Sequence, residues 1–223
     1  MVKKETIDEL YHKLRLVSIE GSVTEKLAVF GLTTHLMRTS GDYRGLLAFL
    51  NNYGENYLMP HVIKVVERSG VEFDRVVDLG CGFCWLGRGL AAARNLPGLF
   101  IDKRQWTLVD IVADIETENG VKRIMDELRP SDLIVMGELI HCIADPLKVL
   151  GPLFKKWPCV VIEYNPGVGS EYESSYNAQV GALGCVPVVI EDFLNKVDAT
   201  YEIVHYHPHA IAVTKPMEPS TRV

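Results

Sequence analysis

Apolar positions follow two rhythms along this chain of 223 residues. Through residues 1–70 the rhythm is helical. Ile7, Leu10, Tyr11, Leu14 and Val17 recur every three or four positions within 4–18, the spacing that lines up one face of a helix. Runs over 23–37, 43–52 and 56–69 repeat it. From residue 75 onward, short apolar runs alternate with helical stretches. Strands are predicted over 75–79, 99–101, 106–113, 132–136 and 159–162, and helices over 85–94, 120–128, 146–154 and 190–196. Pro97-Gly98, Arg129-Pro130-Ser131 and Trp157-Pro158 separate them, as residues that break regular structure. A short strand is predicted over 185–189. Strands over 201–207 and 210–215 pair around Pro208, and 217–223 reads as a frayed tail. The alternation specifies an α/β chain with a mostly parallel sheet and helices on both faces.

One stretch organises the rest: Val76-Val77-Asp78-Leu79-Gly80-Cys81-Gly82-Phe83-Cys84-Trp85. It reads as a buried strand, a tight glycine turn and the start of a helix. Gly80 and Gly82 stand where a chain leaving a sheet needs positive φ, or a bare backbone that a ligand can approach. The helix behind them points unpaired N–H groups at that turn. Three ligand chemistries compete. A dinucleotide fingerprint requires a third glycine where Trp85 stands, and an indole there obstructs the pyrophosphate. A thiol oxidoreductase would use Cys81 and Cys84, since C-x-x-C at a helix N-terminus lowers a thiol pKa, but this leaves Asp78-x-Gly80 and the long α/β run unexplained. The third chemistry binds a nucleoside through Asp-x-Gly-x-Gly.

Val-Val-Asp-Leu-Gly-Cys-Gly resembles that turn in class I S-adenosylmethionine-dependent methyltransferases, departing in Cys84 where a third glycine is common. The resemblance covers about residues 74–215. It implies a three-layer Rossmann-like fold with a seven-stranded sheet closing in an antiparallel hairpin, preceded by an N-terminal helical cap. The domains expected are a helical extension over 1–70, a cofactor-binding core over 71–216 and a tail over 217–223. The cofactor implied is S-adenosyl-L-methionine, leaving as S-adenosyl-L-homocysteine. It would lodge over Asp78, Gly80 and Gly82, with the ribose on Asp102, about twenty residues past Gly82. A carboxylate suits two ribose hydroxyls because it offers two acceptor oxygens. Asp114 and Ile115 would take the adenine, although the short connection from Asp102 leaves Asp110 as an alternative strand-two acid. Tyr57, with Asn56 or Tyr53 beside it, would close over the methionine end.

After the fourth predicted strand comes Gly137-Glu138-Leu139-Ile140-His141-Cys142-Ile143-Ala144-Asp145. This resembles the segment in small-molecule O-methyltransferases where an apolar pair precedes a histidine general base and an acid follows. Those families usually carry Asp directly after the histidine, where this chain has Cys142. An imidazole with pKa near 6.5 can take a proton from a phenol, enol or hydroxyl; the alternative is a histidine that only packs at a helix start. Glu138 is expected on the cofactor side. Glu163 and Asn165, with Tyr172 and Tyr176 in the loop beyond, are expected to bind substrate. Glu138, Glu163 and Asn165 also have the oxygen donors of a Mg²⁺ site, but glutamates at strand tips more often bind substrate or water, and no metal is assigned. His205, His207 and His209 alternate; solvent-facing edge histidines are the expectation rather than a metal box.

Composition narrows the partners. A formal charge of −6 argues against nucleic acid. No apolar run reaches the roughly 18 residues of a bilayer span, so no membrane is expected. Five cysteines without framework spacing fit reduced thiols in a cytoplasm. The N-terminal helices are expected to cover the site, make a homodimer contact, or simply layer on the sheet. The function expected is methyl transfer to a small molecule, oxygen or activated carbon ahead of nitrogen. The alternative is a catalytically silent S-adenosylmethionine-binding or scaffold protein.

Overall fold

The computed structural model describes residues 58–82, 84–105, 108–164, 188–206 and 209–216. The first three predicted helices, the cap expected of them and the tail lie outside these residues. A boundary between two compact units falls between Pro60 and His61, so His61–Ser69 shares a unit with the sheet.

The β1 strand (Arg75–Leu79) pairs in parallel with β2 (Gly98–Asp102) and with β4 (Asp132–Gly137). Beyond β2 lies β3 (Ile111–Val112), and beyond β4 lies β5 (Cys159–Tyr164), both parallel. The β7 strand (His209–Lys215) then runs antiparallel between β5 and β6 (Thr200–Tyr206). The order β3-β2-β1-β4-β5-β7-β6 is the mostly parallel seven-stranded sheet with a closing hairpin that the methyltransferase resemblance implies. Its central strands are buried on both faces, which is why they read as unbroken apolar runs rather than alternating ones.

Helices cover each face. On one, Val77, Leu79, Ile134, Met136, Val161 and Ala212 join a single apolar cluster with Ile124 of α3 (Glu118–Glu127), Leu153 and Phe154 of α4 (Pro146–Lys156), and Phe193 of α5 (Ile190–Lys196). On the other, α2 (Trp85–Arg94) lies so close that a Cβ on Gly87 would meet the Asp78 side chain at 2.6 Å. There α1 (Met59–Ser69) reaches β6 through an Arg68–Glu202 ion pair of 2.8 Å and a His61–Tyr206 ring stack. At the amino ends of β1 and β4, Arg75 forks onto Asp132 with bonds of 2.8 and 2.7 Å. The charges of this buried pair compensate each other, and both strands start in register.

Several boundaries differ from expectation for physical reasons. The strand predicted over 106–113 is only Ile111–Val112. Asp110 turns back to accept from the Phe100 N–H (2.9 Å), and Leu108 is exposed, so pairing cannot start earlier among the described residues. The β2 strand ends at Asp102, whereas Asp110 lies before β3 and braces the edge. The helix predicted from 120 starts at Glu118 because the Thr117 hydroxyl accepts from the Gly120 N–H, an N-cap bond. Val188 and Val189, the described part of the strand predicted over 185–189, lead into α5 without pairing.

Candidate functional site

The strand order reverses between β1 and β4, and ligands of open α/β sheets bind beyond the carboxyl ends of strands at such a point. Gly80 and Gly82 lie at the tip of β1, both at positive φ (65° and 50°). A Cβ on Gly80 would strike Leu139 Cδ1 at 2.5 Å, whereas one on Gly82 meets no described atom within 4 Å, the Trp85 indole included. The backbone is thus bare and open at Gly82. Cys84, at the position where the methyltransferase pattern commonly has glycine, adopts φ 61°. The turn keeps its shape despite the side chain, closed by a Cys84 N–H bond to the Cys81 carbonyl of 2.6 Å.

Carboxylates brace this turn from below and beside. One Asp102 oxygen accepts from the Gly82 N–H (2.9 Å) and the other from the Arg104 N–H (2.8 Å). Each oxygen can accept more than one bond, so the strand tip retains acceptor capacity. Asp78 is buried and accepts from the Gly87 N–H at 2.8 Å, tying strand to helix. Burial pushes its pKa up to about 7, with the Gly87 N–H opposing and the Asp102 charge adding. A carboxyl raised in this way favours the fold while protonated, fully below its ordinary value near 4, and that advantage is lost as pH climbs through 7. The ligand-free protein should therefore lose on the order of 4 kcal/mol between pH 4 and 8 from this group. Urea melts of Asp78→Asn should show a flatter pH dependence than wild type; parallel curves would count against it.

The two cysteines of the turn stand 3.3 Å apart, sulfur to sulfur, as buried free thiols. The Cys84 hydrogen bond and burial push the Cys81 thiol up, the opposite of the lowered pKa that dithiol chemistry needs.

At the tip of β4, Glu138 takes φ 55°, and the chain folds into a single 3-10 turn, Ile140–Cys142. This puts His141 inward. Its Nδ1 lies 2.7 Å from Glu163 Oε2, while Glu163 Oε1 accepts from the Ile140 N–H at 2.7 Å. Glu163, expected to bind substrate, is wholly buried and has both oxygens engaged in holding the histidine turn. Asp145, expected as the acid accompanying His141, instead accepts from the Lys148 N–H and caps α4. Burial works against a charged imidazole here, but bonds to Cys142 and Glu163 and the charges of Glu163 and Glu138 push the His141 pKa up to about 12. Burial also raises Glu163, so the pair grips a proton tightly.

Elsewhere the site residues scatter more. Asp114 Oδ1 accepts from the Glu116 N–H in a local turn, and Ile115 packs on the core. Tyr57, Asn165, Tyr172 and Tyr176 lie outside the described residues, as do Asn56, Tyr53 and His207. The expected row of edge histidines is not one strand. His205 is on β6 and 55% exposed, paired with Glu191 at 2.9 Å; His209 is on β7, only 11% exposed, with Nε2 at 3.3 Å from Glu138 Oε1. His209 thus belongs to the carboxyl edge rather than to solvent. The reversal at Pro208 was the signal for this, because it carries the two histidines onto different strands.

No family model and no curated protein matches the sequence. Solved structures do match in three dimensions. Human N-acetylserotonin methyltransferase, in complex with S-adenosylmethionine, superposes over 86% of this chain at 15% identity and TM-score 0.60. An O-methyltransferase family protein from Burkholderia thailandensis does so over 84% at 8% identity and TM-score 0.63. Phosphoethanolamine N-methyltransferase 2 of Haemonchus contortus, also with S-adenosylmethionine, matches over 83% at 15% identity and TM-score 0.53. The chain spans 62%, 62% and 60% of these proteins, about three fifths of their length. Identities this low speak for architecture, and the sheet order, the glycine turn and the superpositions agree: the chain has the Rossmann-like fold of class I S-adenosylmethionine-dependent methyltransferases.

Proposed function

We propose that this protein transfers the methyl group of S-adenosyl-L-methionine to a small-molecule acceptor and releases S-adenosyl-L-homocysteine. The observation that carries the reading is the open backbone at Gly82, set at the point where the strand order reverses and braced by Asp102. The residues present fit the cofactor. The turn at Gly80 and Gly82 would carry it, with room left at Gly82, Asp102 would accept from the ribose, Asp114 and Ile115 would flank the adenine, and Glu138 would face its methionine end together with Tyr57. When bound, the sulfonium supplies an electrophilic methyl and a positive charge that disfavours a second cation nearby.

The chain's own contribution is alignment and proton removal. Holding an acceptor in line and close removes much of the entropic barrier to a two-body reaction. Glu163 fixes the ring of His141 through Nδ1, which leaves Nε2 as the nitrogen to receive the acceptor's proton. Phenols and enols need such a base and neutral amines do not, so the His141–Glu163 pair supports an oxygen or activated-carbon acceptor. Asn165, Tyr172 and Tyr176 are assigned to the acceptor, and residues 1–70 to covering the site or pairing two copies. No described helix is long and apolar enough to cross a membrane, in keeping with a cytoplasmic enzyme.

Titration calorimetry decides the cofactor. S-adenosylmethionine and S-adenosylhomocysteine should each bind one equivalent saturably, and NAD⁺ should give no heat. Binding of NAD⁺ alone overturns the reading. Turnover with a panel of phenols, enols and amines then separates an enzyme from a silent binder.

A further inference from the structure

Four donor side chains converge beside the glycine turn: two serve the proposed proton removal, one the cofactor, and His209 neither. Glu138 ends β4, His141 sits in the 3-10 turn, Glu163 lies on β5, and His209 opens β7 opposite Tyr164. Donor atoms of the first three all fall within 4.8 Å of one another. His141 Nδ1 is 2.7 Å from Glu163 Oε2 and 3.9 Å from Glu138 Oε2, and His209 Nε2 is 3.3 Å from Glu138 Oε1. We propose that Glu138, His141, Glu163 and His209 form a four-coordinate site for a zinc-type divalent ion, which shuts off the reaction by occupying the base.

Three features argue for it. With bonds near 2.0–2.1 Å, ligands of a tetrahedral zinc stand about 3.3 Å apart; His141 lies 2.7 Å from Glu163 and 3.9 Å from one Glu138 oxygen, and His209 lies 3.3 Å from the other. Second, two imidazoles with two carboxylates are a borderline donor set that suits zinc or cobalt, whereas Mg²⁺ and Ca²⁺ prefer oxygen alone. That differs from the all-oxygen Mg²⁺ group of Glu138, Glu163 and Asn165 considered from sequence. Third, Glu138 Oε1 is enclosed and, among the described residues, has the ion-pair contact with His209 but accepts no hydrogen bond, and its residue holds a left-handed backbone that costs a non-glycine residue energy. An enclosed carboxylate oxygen aimed at an imidazole is what a cation would satisfy. The remainder of the Glu138 side chain is over a third exposed, which gives an ion a way in.

Binding stands independently of the proposed function; inhibition rests on it, since the ion would take His141 and Glu163 out of proton removal. The test uses the full chain, stripped with chelator and titrated with Zn²⁺ alone, and with Co²⁺ followed by its visible absorption. One ion per chain is expected, with the intense visible bands of four-coordinate Co²⁺ and no thiolate charge-transfer band. Glu138→Gln and His209→Ala should each weaken binding at least tenfold, and His205→Ala should leave it unchanged. Zn²⁺ should raise the melting temperature of wild type and fail to raise that of His209→Ala, a readout that holds even if the variant is less stable. The absence of saturable binding, a thiolate band pointing to Cys81 and Cys84, or indifference to both substitutions overturns the proposal. Metal binding without S-adenosylmethionine binding would sink the proposed function and leave this site standing; the converse would sink the site alone.

Discussion

Replacing His141 with alanine is expected to slow methyl transfer to a phenolic or enolic acceptor by about 10²–10⁴-fold, the range that a positioned general base contributes. S-adenosylmethionine affinity should stay within a few-fold of wild type, because the glycine turn and Asp102 are untouched. The partner substitution is more telling. Glu163→Gln preserves the shape of the side chain and its acceptor for the Ile140 N–H, but removes a charge that, with the bond to Cys142 and the Glu138 charge, makes His141 strongly basic. A histidine whose pKa is raised frees its nitrogen only as pH rises, so the wild-type rate should climb from neutral into alkaline pH. In Glu163→Gln the same rise should occur at lower pH, with a maximum reduced roughly tenfold for want of a fixed ring. The pH profile of kcat/KM and the ring signals of His141 in NMR both report this. An unshifted profile would reduce Glu163 to a structural residue. The linkage has a cost in stability as well: the contribution of a raised histidine is complete below about pH 6.5 and drains away toward pH 12, so alkaline solution should weaken the fold.

The second large effect separates the two glycines of the turn. Alanine at Gly82 meets no described neighbour, so the fold should lose only the backbone cost of a positive φ, about 1–2 kcal/mol. Its methyl group would nevertheless stand in the space assigned to the cofactor, and affinity for S-adenosylmethionine should fall by about 100-fold or more, following the need for close backbone approach at such turns. Gly80→Ala has the same backbone cost and also pushes against Leu139, which leads directly into the histidine turn. It should lower the melting temperature further and perturb His141. Calorimetry and thermal melts on both variants test the contrast. If Gly82→Ala binds as tightly as wild type, the cofactor does not lie over this turn.

Most of the architecture was legible because the central strands and their helices have strong local signals. The bounds predicted for β1, α2 and α5 are those observed, each set by an unbroken apolar run or a helical stripe next to clear turn residues. Edges were less legible. The alternating pattern around Val109 suggested a long strand, but an outer strand has one neighbour, and the Asp110 bonds to Phe100 limited it to two residues. The sequence singled out the glycine turn, Asp102 and His141 as individual residues. It could not show that the acid holding His141 is Glu163 rather than Asp145. That partnership spans 22 residues and exists only because β4 and β5 pair in register. Asp145 looked like the acid because a helix-capping aspartate and a catalytic one have the same letter. His209 was missed for a similar reason, since its neighbour Glu138 is brought to it only by the antiparallel insertion of β7.

That insertion bears on how the molecule is made. The strand at 209–215 is an interior one, with β5 on one side and β6 on the other, although it is the last of the seven to leave the ribosome. Until it arrives, the exposed flank of β5 is an open invitation to foreign strands. A chain cut short before residue 209 would thus yield a sticky fragment rather than a merely weakened protein, and the cell would meet it as a task for chaperones and proteases.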